Sequence, residues 1–408
     1  MNVLWITTAN LNAVNKKKSA SAYNSTGWVQ SLLNIIAHLK GNNVYVASPY
    51  DVKEIERFEE EGINYILIPS HGHKKESYQS RLEPIWKKIK KEINPNVVHI
   101  HGTEFPFALS YINACGADNV VVSLQGILSG IVRYEWAGIT LAERIRNYTV
   151  GDLLRSIKHI GSKGLAQRVK YEIEYLQKVH HVIGRTEWDK SHVLSINPEI
   201  TYHHCEEILR PTFYKSNKWS YDNCIPQSIF VTNAHTPLKG FHVLLKALVP
   251  LKKKYPKLMV RISASSYMES KWYKKTTYQR YLMRKTEEYG LEENLEFLGG
   301  LNEERMTEEY LRANVFVSCS SIENSSNALK EAQTLGTPFV ASYVGGTPSQ
   351  VPLTQHQWLY GWDEWEVLAS KIDNIFLQKD NIKFEPLVDD REQTGATIMQ
   401  IYNEVSNE

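Results

Sequence analysis

The sequence predicts an α/β protein built of two doubly wound domains that face each other across a cleft. Three observations carry that expectation. The chain has 408 residues, enough for two domains with a core each. Short β-branched apolar runs alternate with helical patterns throughout, as in parallel sheets covered on both faces. Each half repeats one plan of strand, loop and helix, and the stretch 210–227 between them is polar, aromatic and poorly periodic.

The expected strands of the first half are 2–7, 43–48, 65–69, 97–101, 119–124, 181–185 and 200–204. Those of the second are 228–232, 258–263, 295–299, 315–319 and 338–342. Trp28, Leu32, Leu33, Ile36 and Leu39 recur at helical spacing before Gly41, and Phe241, Leu244, Leu245 and Leu248 do so after Gly240. The domain boundaries follow: 1–208, a linker at 209–227, and 228–389, with a last helix at about 390–408 packing back on the first domain. In such sheets ligands bind at the carboxyl ends of strands, so functional residues are sought in the loops there.

Composition narrows the class. Hydrophobic residues make up 42% and charged residues 23%, the balance of a soluble globular protein. A net charge of +2 gives no reason to expect nucleic acid as a partner. No signal peptide is read at the start, and "VLWI" is too short to span a bilayer. The 4 cysteines show no CxxC spacing, which fits reduced thiols in a cytoplasmic protein.

The most informative stretch is "SIENSSNALKEAQTLG", 321–336. Ser325, Ser326 and Asn327 are good helix caps, and Gly336 with Pro338 beyond it stops the helix. Glu323 then lies in the loop and Glu331 one turn inside. Free amides at the helix start suit phosphate or sugar oxygens. The two carboxylates suit hydroxyl groups of one ligand. Spacing alone carries little, because glutamates on a solvated helix show it too.

The wider segment "SCSSIENSSNALKEAQTLGTPFVASYVGGTPSQV" resembles the signature of glycosyltransferase family 4, which has the GT-B fold of two Rossmann-like domains. The matching residues are Ser321, Glu323, Glu331, Gly336, Pro338, Ala341, Ser342, Gly345, Gly346 and Pro348. The resemblance implies that Glu323 contacts donor-sugar hydroxyls and Glu331 the nucleotide ribose. It also implies that the backbone of Ser325, Ser326, Asn327 and Ala328 holds phosphate and sugar oxygens. "VTNAHTPLKGFHVLLKAL" resembles the family's strand, K-G loop and helix, so Lys239 is expected on the donor pyrophosphate. The family's arginine five residues earlier is Ala234 here; His235 or Arg210 could supply part of that charge.

The first domain is expected to hold the acceptor. Gly27, preceded by Thr26, resembles the family's glycine loop near the diphosphate. "NVVHIHGTE" resembles its D-v-v-H-x-H-g segment, with His101 the better candidate of the pair His99 and His101. Gln125 stands where relatives often carry histidine beside the reacting sugar. Arg185 follows a strand and is expected either to help an anionic group or to pair with Glu187 or Asp189. Base recognition is expected from backbone near Leu298–Leu301.

No D-x-D pair follows a strand, so neither a metal nor any other cofactor is expected, and "YHHCEE" at 202–207 is not read as a zinc site. From Arg133 to Lys178 the chain reads as helical and basic, with Arg144, Arg146, Arg155, Lys158, Lys163, Arg168 and Lys170. Leu153, Leu154 and Ile157 add an apolar stripe. This stretch either packs on its own domain or lies on an anionic membrane surface, at the inner face, where lipid-linked acceptors reside.

The expectation is a retaining, metal-independent glycosyltransferase. It moves a sugar from a nucleotide-sugar donor to a saccharide or lipid-linked glycan, as in cell-surface polysaccharide synthesis. The alternatives are a catalytically weak sugar-nucleotide-binding partner protein, or another GT-B enzyme such as an epimerase. A sugar phosphorylase would need a pyridoxal phosphate lysine, for which there is no motif.

Overall fold

The structure is a computed structural model that describes all residues except 19–26, 40, 71–77, 154–164, 270 and 408. Its eight-stranded sheet holds β1 (Asn2–Thr7), β2 (Asn43–Tyr50), β3 (Glu56–Glu60), β4 (Ile63–Pro69), β5 (Val97–His101), β6 (Val120–Ser123), β7 (His181–Gly184) and β8 (Thr201–His204). The order is β3-β4-β2-β1-β5-β6-β7-β8, parallel except for the β3–β4 pair. A six-stranded parallel sheet holds β9 (Ile225–Val231), β10 (Met259–Ile262), β11 (Leu295–Phe297), β12 (Ala313–Ser318), β13 (Phe339–Ser342) and β14 (Leu359–Tyr360). Its order is β11-β10-β9-β12-β13-β14. The α/β class and the two Rossmann-like sheets are as expected.

Strands step outward from β1 through β2 and β4 to β3 in one direction and from β5 to β8 in the other, and likewise from β9 to β11 and from β12 to β14. Loops leaving a sheet at such a reversal point to opposite faces and leave a crevice between them. In the second sheet the crevice lies between the loops after β9 and β12, which carry Lys239 and Glu323.

The first sheet closes its core with the helix Arg391–Asn407. Tyr402, fully buried, accepts from Trp5 Nε1 at 2.9 Å, and its hydroxyl lies 2.7 Å from His99 Nδ1. His99 Nε2 lies 2.6 Å from Ser123 Oγ, so both ring nitrogens are satisfied. Burial holds this imidazole neutral, its pKa lowered to about 3.

The chain divides into two compact units. Unit 1 comprises Met1–Arg133, Ile160–Ile208 and Asp390–Glu408; unit 2 comprises Tyr134–His159 and Leu209–Asp389. This departs from the expected boundary at 208, because residues 134–159 leave the first domain. Arg280, fully buried, donates to the Asn147 carbonyl at 2.8 Å and to the Asp152 carboxylate, and His242 Nε2 bonds Ala137 O at 3.0 Å. The stretch expected to be a linker also belongs to unit 2. Phe213 is fully buried in its core, Trp219 Nε1 donates to Ala313 O at 2.7 Å, and β9 begins at Ile225.

Candidate functional site

The site is built on two loops locked together by glycine. Gly240 has φ +64°, and a Cβ there would stand 1.7 Å from the Cys319 carbonyl oxygen. Only a residue without a side chain permits that approach and that left-handed turn. The amide of Ser321 donates to Leu238 O at 2.8 Å, closing the β9 loop on the β12 loop. Gly345, at φ +48°, does the same on the other side: its Cβ would meet Glu323 O at 2.0 Å, and Gly346 N donates to that oxygen at 3.0 Å. The K-G and G-G motifs thus fix the backbone that carries Lys239 and Glu323.

Lys239 Nζ donates to Glu323 Oε1, and Ser320 Oγ donates to the same oxygen at 2.7 Å. The lysine is about a third exposed and the glutamate mostly covered. The helix Asn327–Leu335 begins beside them, capped by Ser326, whose Oγ accepts from Leu329 N at 3.4 Å. Gln350 grips the cap from outside: its Oε1 accepts from Ser326 N at 2.9 Å and its Nε2 donates to Ser326 O at 2.8 Å. Asn327 and Ala328 sit at the first two helical positions, where amides have no intrahelical acceptor. The depression lined by Asn233, Lys239, Ser320, Glu323, Ser326 and Ala328 holds only about 20 Å³. That is room for about a single water.

Glu331, 8% exposed, accepts from Arg210 NH2 at 3.0 Å on one oxygen and from Tyr310 OH at 3.0 Å on the other. Burial raises its pKa and Arg210 opposes the rise. Each oxygen keeps a second acceptor position. Arg210 is paired with Glu331. Ala234 itself is 1% exposed and packs in the core of unit 2. His235 is half-buried, and its amide donates to Asn233 Oδ1 at 2.8 Å.

The remaining expected residues lie in unit 1. Gly27 opens the helix Gly27–His38; its neighbour Thr26 lies outside the described residues. His101 is 2% exposed, and neither ring nitrogen has a partner among the described residues. Its ring lies 4.2 Å from Trp5 and 3.9 Å from His99 between centroids, and burial holds its pKa well below the usual imidazole value. This histidine accepts or donates only as a neutral group.

Arg185 is a correction. It pairs with Glu207, not with Glu187 or an incoming anion, and donates to Leu124 O at 2.6 Å; it is 6% exposed. Its guanidinium ties β6 to the chain after β8.

Glu104 was missed by sequence reasoning. It follows β5, accepts from Gly126 N at 3.1 Å, and burial pushes its pKa to about 7, with Glu172 adding to the rise and Arg185 opposing it. A Cβ on Gly102, at φ +90°, would lie 2.2 Å from Glu104 Oε2 and 3.2 Å from Gln125 Nε2. Glu104 and Gln125 therefore meet over Gly102, at the carboxyl ends of β5 and β6. The glycine after "HIH" was the available signal.

Among the described residues, the group with metal-ligand atoms close together is His181, His203 and Glu404, all within 4.8 Å of one another. His203 belongs to "YHHCEE"; its companions come from β7 and the C-terminal helix, not from its own strand. Residues 154–164, with Leu154, Arg155, Ile157, Lys158 and Lys163 of the basic stretch, lie outside the described residues.

Residues 226–387 match the family model described as "Glycosyl transferases group 1". A D-inositol 3-phosphate glycosyltransferase of Corynebacterium urealyticum is 31% identical over 114 residues, 28% of this chain and 26% of that one. The chain thus spans about a quarter of that relative's length. Two solved structures are similar over nearly everything. Sucrose-phosphate synthase from Thermosynechococcus elongatus has TM-score 0.64 and 15% identity, covering 99% of both chains. Anabaena HepE in complex with UDP-glucose has TM-score 0.63 and 13% identity, covering 100% of this chain and 98% of that one. Residues 226–387, which hold the two glycine-locked loops at the reversal of the second sheet, are thus similar to the glycosyl transferases group 1 family, and the whole chain has the GT-B fold of the solved structures it resembles.

Proposed function

We propose that the protein is a retaining, metal-independent glycosyltransferase that moves a sugar from a nucleoside diphosphate donor to a hydroxyl of a saccharide or lipid-linked acceptor. The observation that carries this reading is the Lys239–Glu323 pair beside the start of the helix Asn327–Leu335. A diphosphate supplies the anion that Lys239 takes from Glu323, and the amides of Asn327 and Ala328 share its charge. Glu323, released, accepts hydrogen bonds from sugar hydroxyls, and Glu331 takes the ribose on its remaining lone pairs. The leaving diphosphate gains charge as the glycosidic bond breaks, so these donors bind it more tightly in the transition state than in the ground state. Glu104, Gln125 and His101 supply acceptors and donors for the incoming hydroxyl in unit 1. Retention rests on the resemblance of the E-x7-E segment, and UDP as the carrier on the Anabaena structure.

A thermal-shift series with UDP, GDP, ADP and CMP, with and without magnesium, tests this. UDP at a hundred times its dissociation constant adds about 2.7 kcal/mol. The expected shift needs no metal and is lost in Glu331→Ala. A shift that requires magnesium, or none with any nucleotide, overturns the reading. UDP binding without transfer to any acceptor would instead favour a weak binding partner, the reading that Ala234, standing where the resembled family has arginine, supports.

A lipid-linked acceptor also fits the segment after Tyr134. Leu141 and Ile145 stand one helical turn apart and are 62% and 65% exposed, and Val150 and Leu153 are exposed nearby. Arg144 and Arg146 share the stretch. Apolar side chains bordered by cations suit an anionic membrane surface, and the proposed location is the cytoplasmic face. Flotation with phosphatidylglycerol vesicles should carry the protein, and Leu141→Asp/Ile145→Asp should leave it behind; flotation unchanged by the pair removes this contact.

A further inference from the structure

Unit 2 holds a second, larger cavity that the donor site does not use. It measures about 560 Å³, within the usual range of small-ligand sites. Four stretches far apart in sequence wall it: residues 137–143, the start of the helix after Gly240, the helix Thr277–Glu288, and residues 362–366 where the helix after β14 begins. Trp362, Trp365 and Tyr281 are among the residues that line it. Trp362 is brought close by Gly138, where a Cβ would come within 3.2 Å of the indole at a φ of +71°. His242 is part of the wall and not a ligand group, because Tyr278 OH and Ala137 O occupy its two nitrogens.

The charges decide what fits. Glu143 is already paired with Arg284 and Lys285. That leaves the carboxylates of Asp363, Glu364 and Glu366 against the ammonium of Lys246. The surplus is negative, so the cavity repels the phosphates that the donor site attracts. Carboxylates only accept hydrogen bonds and the lysine only donates them. Rings that cover apolar C–H faces, ringed by acceptors and a donor for hydroxyls, match a neutral sugar chain.

We propose that this cavity binds a neutral oligosaccharide, and so holds the acceptor or product chain away from its reacting end. The assigned use rests on the glycosyl-transfer reading; the binding does not. The helix Phe241–Lys254 links the two sites, because Lys239 precedes it on the donor side and His242 stands in its first turn on the cavity side.

The test is saturation-transfer NMR on the full chain with saturating UDP. The probes are neutral tri- and tetrasaccharides of glucose, galactose, mannose and N-acetylglucosamine, with trigalacturonate and spermine as charged controls. At least one neutral saccharide should bind and trigalacturonate should not. Trp362→Ala should weaken binding at least tenfold while the UDP thermal shift stays unchanged, and the exposed Asp363→Ala should weaken it without any risk to the core. No neutral saccharide binding, binding that both variants retain, or spermine as the sole ligand overturns the proposal. Loss of the UDP shift alone would count against the donor site and leave this cavity's result standing.

Discussion

Lys239→Ala lowers kcat for sugar transfer by roughly 10²–10³-fold, about 3–4 kcal/mol of transition-state stabilisation, with a smaller change in KM. The asymmetry follows from when the charge appears. In the ground state the diphosphate already carries its charge, and the helix amides hold part of it. As the glycosidic bond breaks, one further negative charge develops on the leaving oxygen, and the ammonium is the mobile cation beside it. Stability should hardly change, since the Lys239–Glu323 pair is partly exposed. Glu323 in the variant still has Ser320 Oγ as a partner. Steady-state rates with UDP-glucose and a glycan acceptor check this; turnover equal to wild type would remove Lys239 from the phosphate site.

Arg280→Ala destabilises the protein by about 3–5 kcal/mol. The side chain is fully buried and its donors reach the Asn147 carbonyl, the Lys275 carbonyl and the Asp152 carboxylate. Its removal leaves Asp152 without its main counter-charge in a covered place. Residues 134–153 lose their buried tie to the helix Thr277–Glu288 and keep only the more exposed Glu143 pairs, and amide exchange should rise there first. Denaturant unfolding with exchange mass spectrometry measures both. A loss below about 1 kcal/mol would mean that the segment is held by its other contacts.

Much of the fold was legible because buried parallel strands write themselves as apolar runs. β1 reads "NVLWIT" and β12 "ANVFVS", both nearly all buried. The helix Asn327–Leu335 was readable to its last residue from its cap and its glycine stop. β3 was invisible for the converse reason: "ERFEE" is an edge strand with charged residues outward, paired antiparallel. β14 has two residues, too few for any periodicity. In the site, Lys239, Glu323 and the helix start come together from motifs local in sequence. Arg185 with Glu207, Arg210 with Glu331, and Glu104 beside Gln125 depend on which loops the sheets bring side by side. A spacing rule contains nothing about that. The partner of an arginine is decided by topology, which is why the expected neighbours Glu187 and Asp189 lost to Glu207.

Residues 134–159 and 390–408 change how the molecule can come into being. Chain growth proceeds from residue 1, and domains usually fold in that order. Unit 1 cannot follow it, because Tyr402 is the hydroxyl that satisfies both Trp5 and His99 in its core. Unit 2 has every one of its residues before position 390. The second-encoded sheet can therefore be complete on the ribosome while the first-encoded one still has an unfilled seam and two unsatisfied rings. Order of synthesis and order of completion run in opposite directions here.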